Sequence, residues 1–220
     1  MKWVWAALFL LAMVLGSLII WQGFGIGDKG FLKHWGGASF PAGRPEGAVL
    51  AVFGEAPDFK LTERSGNALS KSELAGKPWI ADFIFTSCAG QCPLMSLQMK
   101  KFQNLLPAGT GFRFVSFTVD PERDTPEVLA QYGERYGAEK GRWFFLTGAK
   151  QEINRILKEF FLSPVEEPAM HSIRFILVDG GGKIRGYYDS SDPGSLDQLI
   201  HDAKILATIG TGLKPAPTDT

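Results

Sequence analysis

Cysteine and histidine are scarce in this chain, at two and three of 220 residues. Two cysteines cannot build a disulfide scaffold, and no second pair exists for a four-sulfur zinc site. Any site joining thiolate to imidazole must draw on His34, His171 or His201. Charge of either sign is not in excess: 23 basic and 23 acidic residues leave a formal net charge of zero. That balance provides no basic footprint for nucleic acid. No internal repeat is visible, and the length allows one ordinary domain with appendages.

What is abundant comes first in the chain. From Trp3 to Trp21 there is no charged residue, and Leu, Ile, Val, Ala, Phe and Met dominate. A helix over that stretch is roughly 28 Å long, close to the hydrocarbon thickness of a bilayer. Trp3, Trp5 and Trp21 mark its ends as an aromatic belt does. A cleaved signal peptide normally has a shorter apolar core followed by a small-x-small cleavage site, and Gln-Gly-Phe-Gly-Ile-Gly offers no clear Ala-x-Ala. Residues 1–21 are therefore expected to be an uncleaved anchor. Lys2 and the amino terminus favour an N-in orientation, with the rest on the extracytoplasmic side where a dithiol is at home.

Residues 22–55 hold nine glycines and two prolines and are expected to be a linker arm. A folded domain is expected over 56–208, with a Pro-rich tail at 209–220. Within it, strands are expected at Phe59–Thr62, Pro78–Phe85, Gly111–Val119 and Trp143–Leu146. A hairpin is expected over Ile173–Val178 and Lys183–Tyr188, joined by Asp179-Gly-Gly-Gly. Ser70-Lys-Ser-Glu73 has capping-box spacing. Helices are expected at Pro93–Leu106, with Leu94, Leu97, Phe102 and Leu105 as the apolar face, then from Pro126 to about Tyr136, over Lys150–Phe160, and from Asp192-Pro193 to about Thr208. Alternating strands and helices closed by a hairpin and helix imply an α/β domain. A central mixed sheet flanked by helices, in this order, is what a thioredoxin-like fold is expected to show.

Both cysteines fall in Phe85-Thr-Ser-Cys88-Ala-Gly-Gln-Cys92-Pro93. The apolar strand lies before them and proline is tolerated in a helix's first turn, so the pair belongs on a strand-to-helix turn. The positive end of that helix favours thiolate over thiol. Cα atoms four apart in a helix lie roughly 6.2 Å from one another, within the range a disulfide spans. The same spacing lets two thiolates converge on one soft metal ion such as Cu(I). Spacing alone leaves both chemistries open.

A third ligand has to come from elsewhere. His171 directly precedes the strand expected at 173–178, whose start can reach the end of a neighbouring strand. His34 lies in the arm and His201 on the last helix, both poorer placements. Met95, Met99 and Met170 offer thioethers, but methionine at helical spacing usually packs in a core. In Asp120-Pro-Glu-Arg-Asp124-Thr-Pro, Asp124 or Thr125 is expected to cap the following helix. Asp120 stands where it can bond a thiol or orient an arginine.

Three motifs appear in order: Phe-Thr-Ser-Cys88-x-x-x-Cys92-Pro, then Val-Asp120-Pro-Glu-Arg-Asp124-Thr-Pro, then His171-Ser with Val-Asp179-Gly-Gly-Gly-Lys. Together they resemble the SCO/SenC family, over about residues 50–208. The resemblance implies a membrane-tethered, thioredoxin-like copper protein that helps assemble the dinuclear copper site of cytochrome c oxidase. It implies one copper ion held by Cys88, Cys92 and His171, with Asp120 in support. The implied partners are the oxidase subunit bearing that site, together with a copper donor chaperone or a thioredoxin-like reductant. The chain departs from the family in Ala-Gly-Gln between the cysteines, where many members have Pro-Asp-Ile, and in Ser before Cys88. Some members act mainly as thiol reductants, so a thiol–disulfide oxidoreductase using Cys88 and Cys92 stands as the alternative.

Overall fold

The apolar run ahead of the first cysteine forms a strand, Trp79–Ile84, whose six residues are all buried. It lies inside an eight-stranded sheet in a computed structural model that describes residues 50–161 and 173–211. The expected anchor at 1–21, most of the arm and His171 lie outside the described residues. Among the described residues, no helix is long and apolar enough to cross a membrane.

In chain order the strands are β1 (Gly54–Glu55), β2 (Lys60–Glu63), β3 (Ala68–Ser70), β4 (Trp79–Ile84), β5 (Arg113–Thr118), β6 (Trp143–Thr147), β7 (Arg174–Val178) and β8 (Lys183–Asp189). The helices are α1 (Gln91–Leu105), α2 (Pro126–Arg135), α3 (Lys150–Phe161) and α4 (Pro193–Thr211). Across the sheet the order is β1-β8-β7-β4-β5-β6-β2-β3. β4, β5 and β6 are parallel neighbours, each linked to the next by a helix as parallel pairing requires. β7 lies antiparallel against β4 and pairs with β8 as the expected hairpin. The architecture is thus the α/β mixed sheet between helices that the sequence implies.

Side chains of β4 alternate between two cores. Ile80 and Ile84 pack with α1, α2 and α4 on one face, through Met95, Met99, Phe102, Leu129, Tyr132, Leu199 and Ala203. Trp79, Ala81 and Phe83 pack on the other, against Ile153, Ile156, Leu157 and Phe160 of α3.

Three local findings differ from the sequence reading. Leu94, Leu97 and Leu105 are exposed, at 53%, 58% and 43%, and the core face of α1 is Cys92, Met95, Met99 and Phe102. Both sets recur at helical spacing, so periodicity could not choose between them. The flexible methionines fill the space over the sheet, as expected of core methionines. Second, Thr125 alone caps α2, accepting from the Val128 N–H, with Pro126 at the first helical position. Asp124 is fully buried and bonded elsewhere. Third, the chain joins the sheet ahead of Ala56: β1 pairs with β8, and Leu50 is buried with α1 and α4. At the capping-box motif, Glu73 accepts from the Ser70 N–H at 2.7 Å, and the element is a single 3₁₀ turn, Lys71–Leu74.

Candidate functional site

Three segments meet at one end of the sheet. Parallel pairing sets Ile84 beside Thr118, so the loop after β4 and the turn after β5 emerge side by side. β7 runs the other way, with Ala81 opposite Ile176, so it begins at that same end. The first loop carries Cys88 and the second carries Asp120 and Asp124.

Cys88 is half-buried and Cys92 buried, and both are free thiols. The Cys88 N–H donates to the Phe85 carbonyl at 3.2 Å, which turns the chain sharply after β4. α1 then starts at Gln91, so Cys92 sits in its first turn and Cys88 just ahead of it. The Gly90 N–H donates to Cys88 Sγ at 3.4 Å. N–H groups at a helix start lack partners within the helix, and here a sulfur takes them.

This places the two thiols in opposite electrostatic settings. Partial burial works against a Cys88 thiolate, but the Cys92, Gly90 and Gln91 N–H groups and the Cys92 thiol donate to its sulfur. The net effect holds Cys88 below the ordinary thiol range. Burial pushes Cys92 up to about 12, against the Phe85 backbone and with the Cys88 and Asp82 charges adding to the rise. One sulfur is ready to ionise at the surface, and the other keeps its proton beneath.

Asp124 holds the loop in place. Its buried carboxylate accepts from the Thr86 N–H at 3.1 Å, from the Thr86 hydroxyl and from the Thr118 hydroxyl. Thr86 belongs to the dithiol loop and Thr118 ends β5, so one side chain ties the two together. Asp120 lies on the same turn: its N–H donates to Thr118 Oγ, and its carboxylate meets Arg123 at 3.2 Å. Of the two roles expected of Asp120, the described contact is the one with an arginine.

Asp82 received no role from the sequence. It is fully buried on β4, on the same face as Ile80 and Ile84, beneath α1. Neither carboxylate oxygen has a hydrogen-bond partner among the described residues. Burial drives its acid up to about 7, and the nearby Ser116 hydroxyl restrains the rise. Ser116 is its neighbour across the β4–β5 pair and accepts from the Trp143 indole N–H at 2.9 Å. The sequence did carry a signal here: one acidic residue inside an apolar strand buried on both faces.

Two sulfurs of opposed acidity at a loop mouth suit a soft cation or an exchangeable disulfide. Among the described residues, no three His, Cys, Asp or Glu side chains form a metal-holding group. Of the expected ligands, Cys88 and Cys92 come together at the start of α1, and His171 lies outside the described residues. Met95 and Met99 are core residues, and His201 is half-buried on α4.

A sequence model described as SCO1/SenC matches residues 52–207. The chain belongs to the SCO1/SenC family. The SCO1 protein homolog of Bacillus subtilis is 34% identical over 162 residues, covering 70% of this chain and 84% of its own length. Among solved structures, BsSco, described as a Sco-family cytochrome c oxidase assembly protein with a disulfide switch, is 32% identical with a TM-score of 0.65. That match covers 73% of this chain and 98% of BsSco. Yeast Sco1 with copper bound is 26% identical with a TM-score of 0.55, covering 69% of this chain and 89% of that one. The dithiol loop, the Asp120–Asp124 turn and the β7–β8 hairpin of this SCO1/SenC protein all fall within the matched span.

Proposed function

We propose that this protein is a membrane-anchored copper metallochaperone that delivers copper to the dinuclear copper site of cytochrome c oxidase. The observation that carries the reading is the pair Cys88 and Cys92, free, adjacent at a helix start, and split in acidity. Copper bound to yeast Sco1 and the assembly role stated for BsSco support it. In this reading residues 1–21 anchor the chain and the domain lies on the extracytoplasmic side.

Cys88, Cys92 and His171 are the ligands in this reading. The soft sulfurs match Cu(I), and imidazole suits either copper oxidation state. β7 begins at the dithiol end of the sheet, which favours a ligand supplied just ahead of it. Cys88 offers an accessible thiolate as the first contact, and Cys92 must shed its proton to complete the site, so loading releases protons. Delivery proceeds by ligand exchange, with an acceptor's sulfur entering as Cys88 leaves. Oxidation of the pair to a disulfide removes both sulfur ligands, so loading is gated by redox state.

The thiol split also supports a second reading, a reductase. The Cys88 thiolate attacks a partner disulfide, forming a mixed disulfide and expelling one partner thiolate. Cys92 gives its proton to the expelled thiolate and attacks Cys88 Sγ, expelling the second thiolate and leaving the Cys88–Cys92 disulfide. Two electrons pass to the partner, and His171 takes no part.

The test is an anaerobic copper titration of the reduced chain beside Cys88→Ser and His171→Ala. One tightly held copper per chain, weakened in both variants, supports the metallochaperone. Absence of tight copper together with rapid disulfide exchange, retained in His171→Ala, transfers the assignment to the reductase.

A further inference from the structure

We infer that the solvent face of α1 is the docking surface for the acceptor protein, and that it selects an apolar patch bordered by carboxylates. The inference rests on the delivery reading above and adds how the acceptor is recognised.

Leu94 and Leu97 are more than half exposed and Leu105 nearly so. They fall on one line along α1, which runs on through exposed Lys101. At its start the line meets exposed Ala89, Gly90 and Gln91, the rim around Cys88. The surface leading away from the reactive sulfur is thus uncharged, then leucine, then lysine. α1 carries no Asp or Glu; Lys101 is the exposed charge on the line, while Lys100 is half-buried and donates to the Gly137 carbonyl.

Copper passes by ligand exchange only when an acceptor sulfur comes within bonding distance of Cys88. The acceptor must therefore cover surface around that residue, and the leucine line leads away from there, beginning two residues after Cys92 on the same helix. Its leucines gain by being dried, and its lysine edge favours carboxylates opposite and repels a basic surface. The extent fits a carrier. α1 is about 22 Å long, and one line of side chains along it covers less than the roughly 800 Å² per partner of a stable complex. A short-lived complex lets the emptied carrier leave.

The experiment uses the full chain in detergent, loaded with one copper, and the copper-free dinuclear-copper domain of the oxidase as acceptor. Transfer rate is followed against acceptor concentration for wild type, Leu94→Ser/Leu97→Ser and Lys101→Glu. The expected result is unchanged copper affinity in both variants and an unchanged rate at saturating acceptor. The half-saturating concentration rises about tenfold or more in the double variant and severalfold in Lys101→Glu, the scale of losing an interface anchor or a steering charge. Added salt should raise it in wild type as well. Wild-type half-saturation in the double variant, no salt dependence, or a double variant that changes only the chain's self-association would overturn the docking surface and leave the delivery reading standing. A wild-type chain that holds copper but passes none to this domain overturns both.

Discussion

The Asp124 carboxylate accepts both the backbone N–H and the hydroxyl of Thr86, two residues before Cys88. It accepts the Thr118 hydroxyl too, so it fixes the dithiol loop to the end of β5. Asp124→Ala would leave the buried Thr118 hydroxyl and the partly buried Thr86 donors unpaired. It is expected to cost about 3 kcal/mol or more, given about 1–3 kcal/mol for each unsatisfied buried group. Thr125→Ala, which removes only the α2 cap, is expected to cost about 1 kcal/mol. Urea unfolding measures both, and copper competition should show weaker binding in the Asp124 variant alone. Equal copper affinity in the two would remove Asp124 from the site.

The two cysteines should separate under alkylation. Cys88 lies below the ordinary thiol range and Cys92 is raised to about 12. Near neutral pH, iodoacetamide is expected to label Cys88 and spare Cys92, since the thiolate is the nucleophile. Peptide mapping across pH reads the result. Labelling of both at the same rate would contradict the assigned settings.

Asp82 should give stability a pH dependence of defined sign. Its folded acid is raised to about 7 from 3.8, so the folded chain keeps a proton that the unfolded chain releases. Between those values the folded state binds more protons, and stability falls as pH rises. The slope is about 1.4 kcal/mol per pH unit, toward a total of roughly 4 kcal/mol. Asp82→Asn is expected to be more stable than wild type near neutral pH and to lose this slope. Urea midpoints across the range decide it; an unchanged slope in Asp82→Asn would rule the residue out as the cause.

The core face of α1 invites a direct comparison. Met99→Ala and Phe102→Ala remove fully buried side chains, at an expected cost of about 2–5 kcal/mol each. Leu97→Ala and Leu105→Ala act on exposed leucines and should stay within about 0.5 kcal/mol. Denaturant midpoints test the order. A large loss at Leu97 would mean that the face is covered.

Most of the architecture was legible because β4, β5, α2 and the β7–β8 hairpin carry strong local signals: an apolar run, alternation, Thr125-Pro126, and Asp179-Gly-Gly-Gly. β1 and β3 were not, since two or three residues become a strand only through their partners β8 and β2. The facing of α1 was misread because Leu94 and Leu97 outrank Met95 and Met99 in apolar character, while the strand-to-helix turn decides which set meets the sheet. At the site, both cysteines and their helix start were legible from spacing. Asp124 was not, because its partners Thr86 and Thr118 come from two other segments that only the parallel register of β4 and β5 brings beside it.

The most direct measurement is X-ray absorption at the copper edge on the anaerobically loaded chain, with His171→Ala beside it. The expected wild-type spectrum shows two sulfur scatterers and one imidazole nitrogen, and the nitrogen is lost in the variant. A spectrum with fewer than two sulfurs, or an unchanged nitrogen shell in His171→Ala, would contradict a copper site built from Cys88, Cys92 and His171.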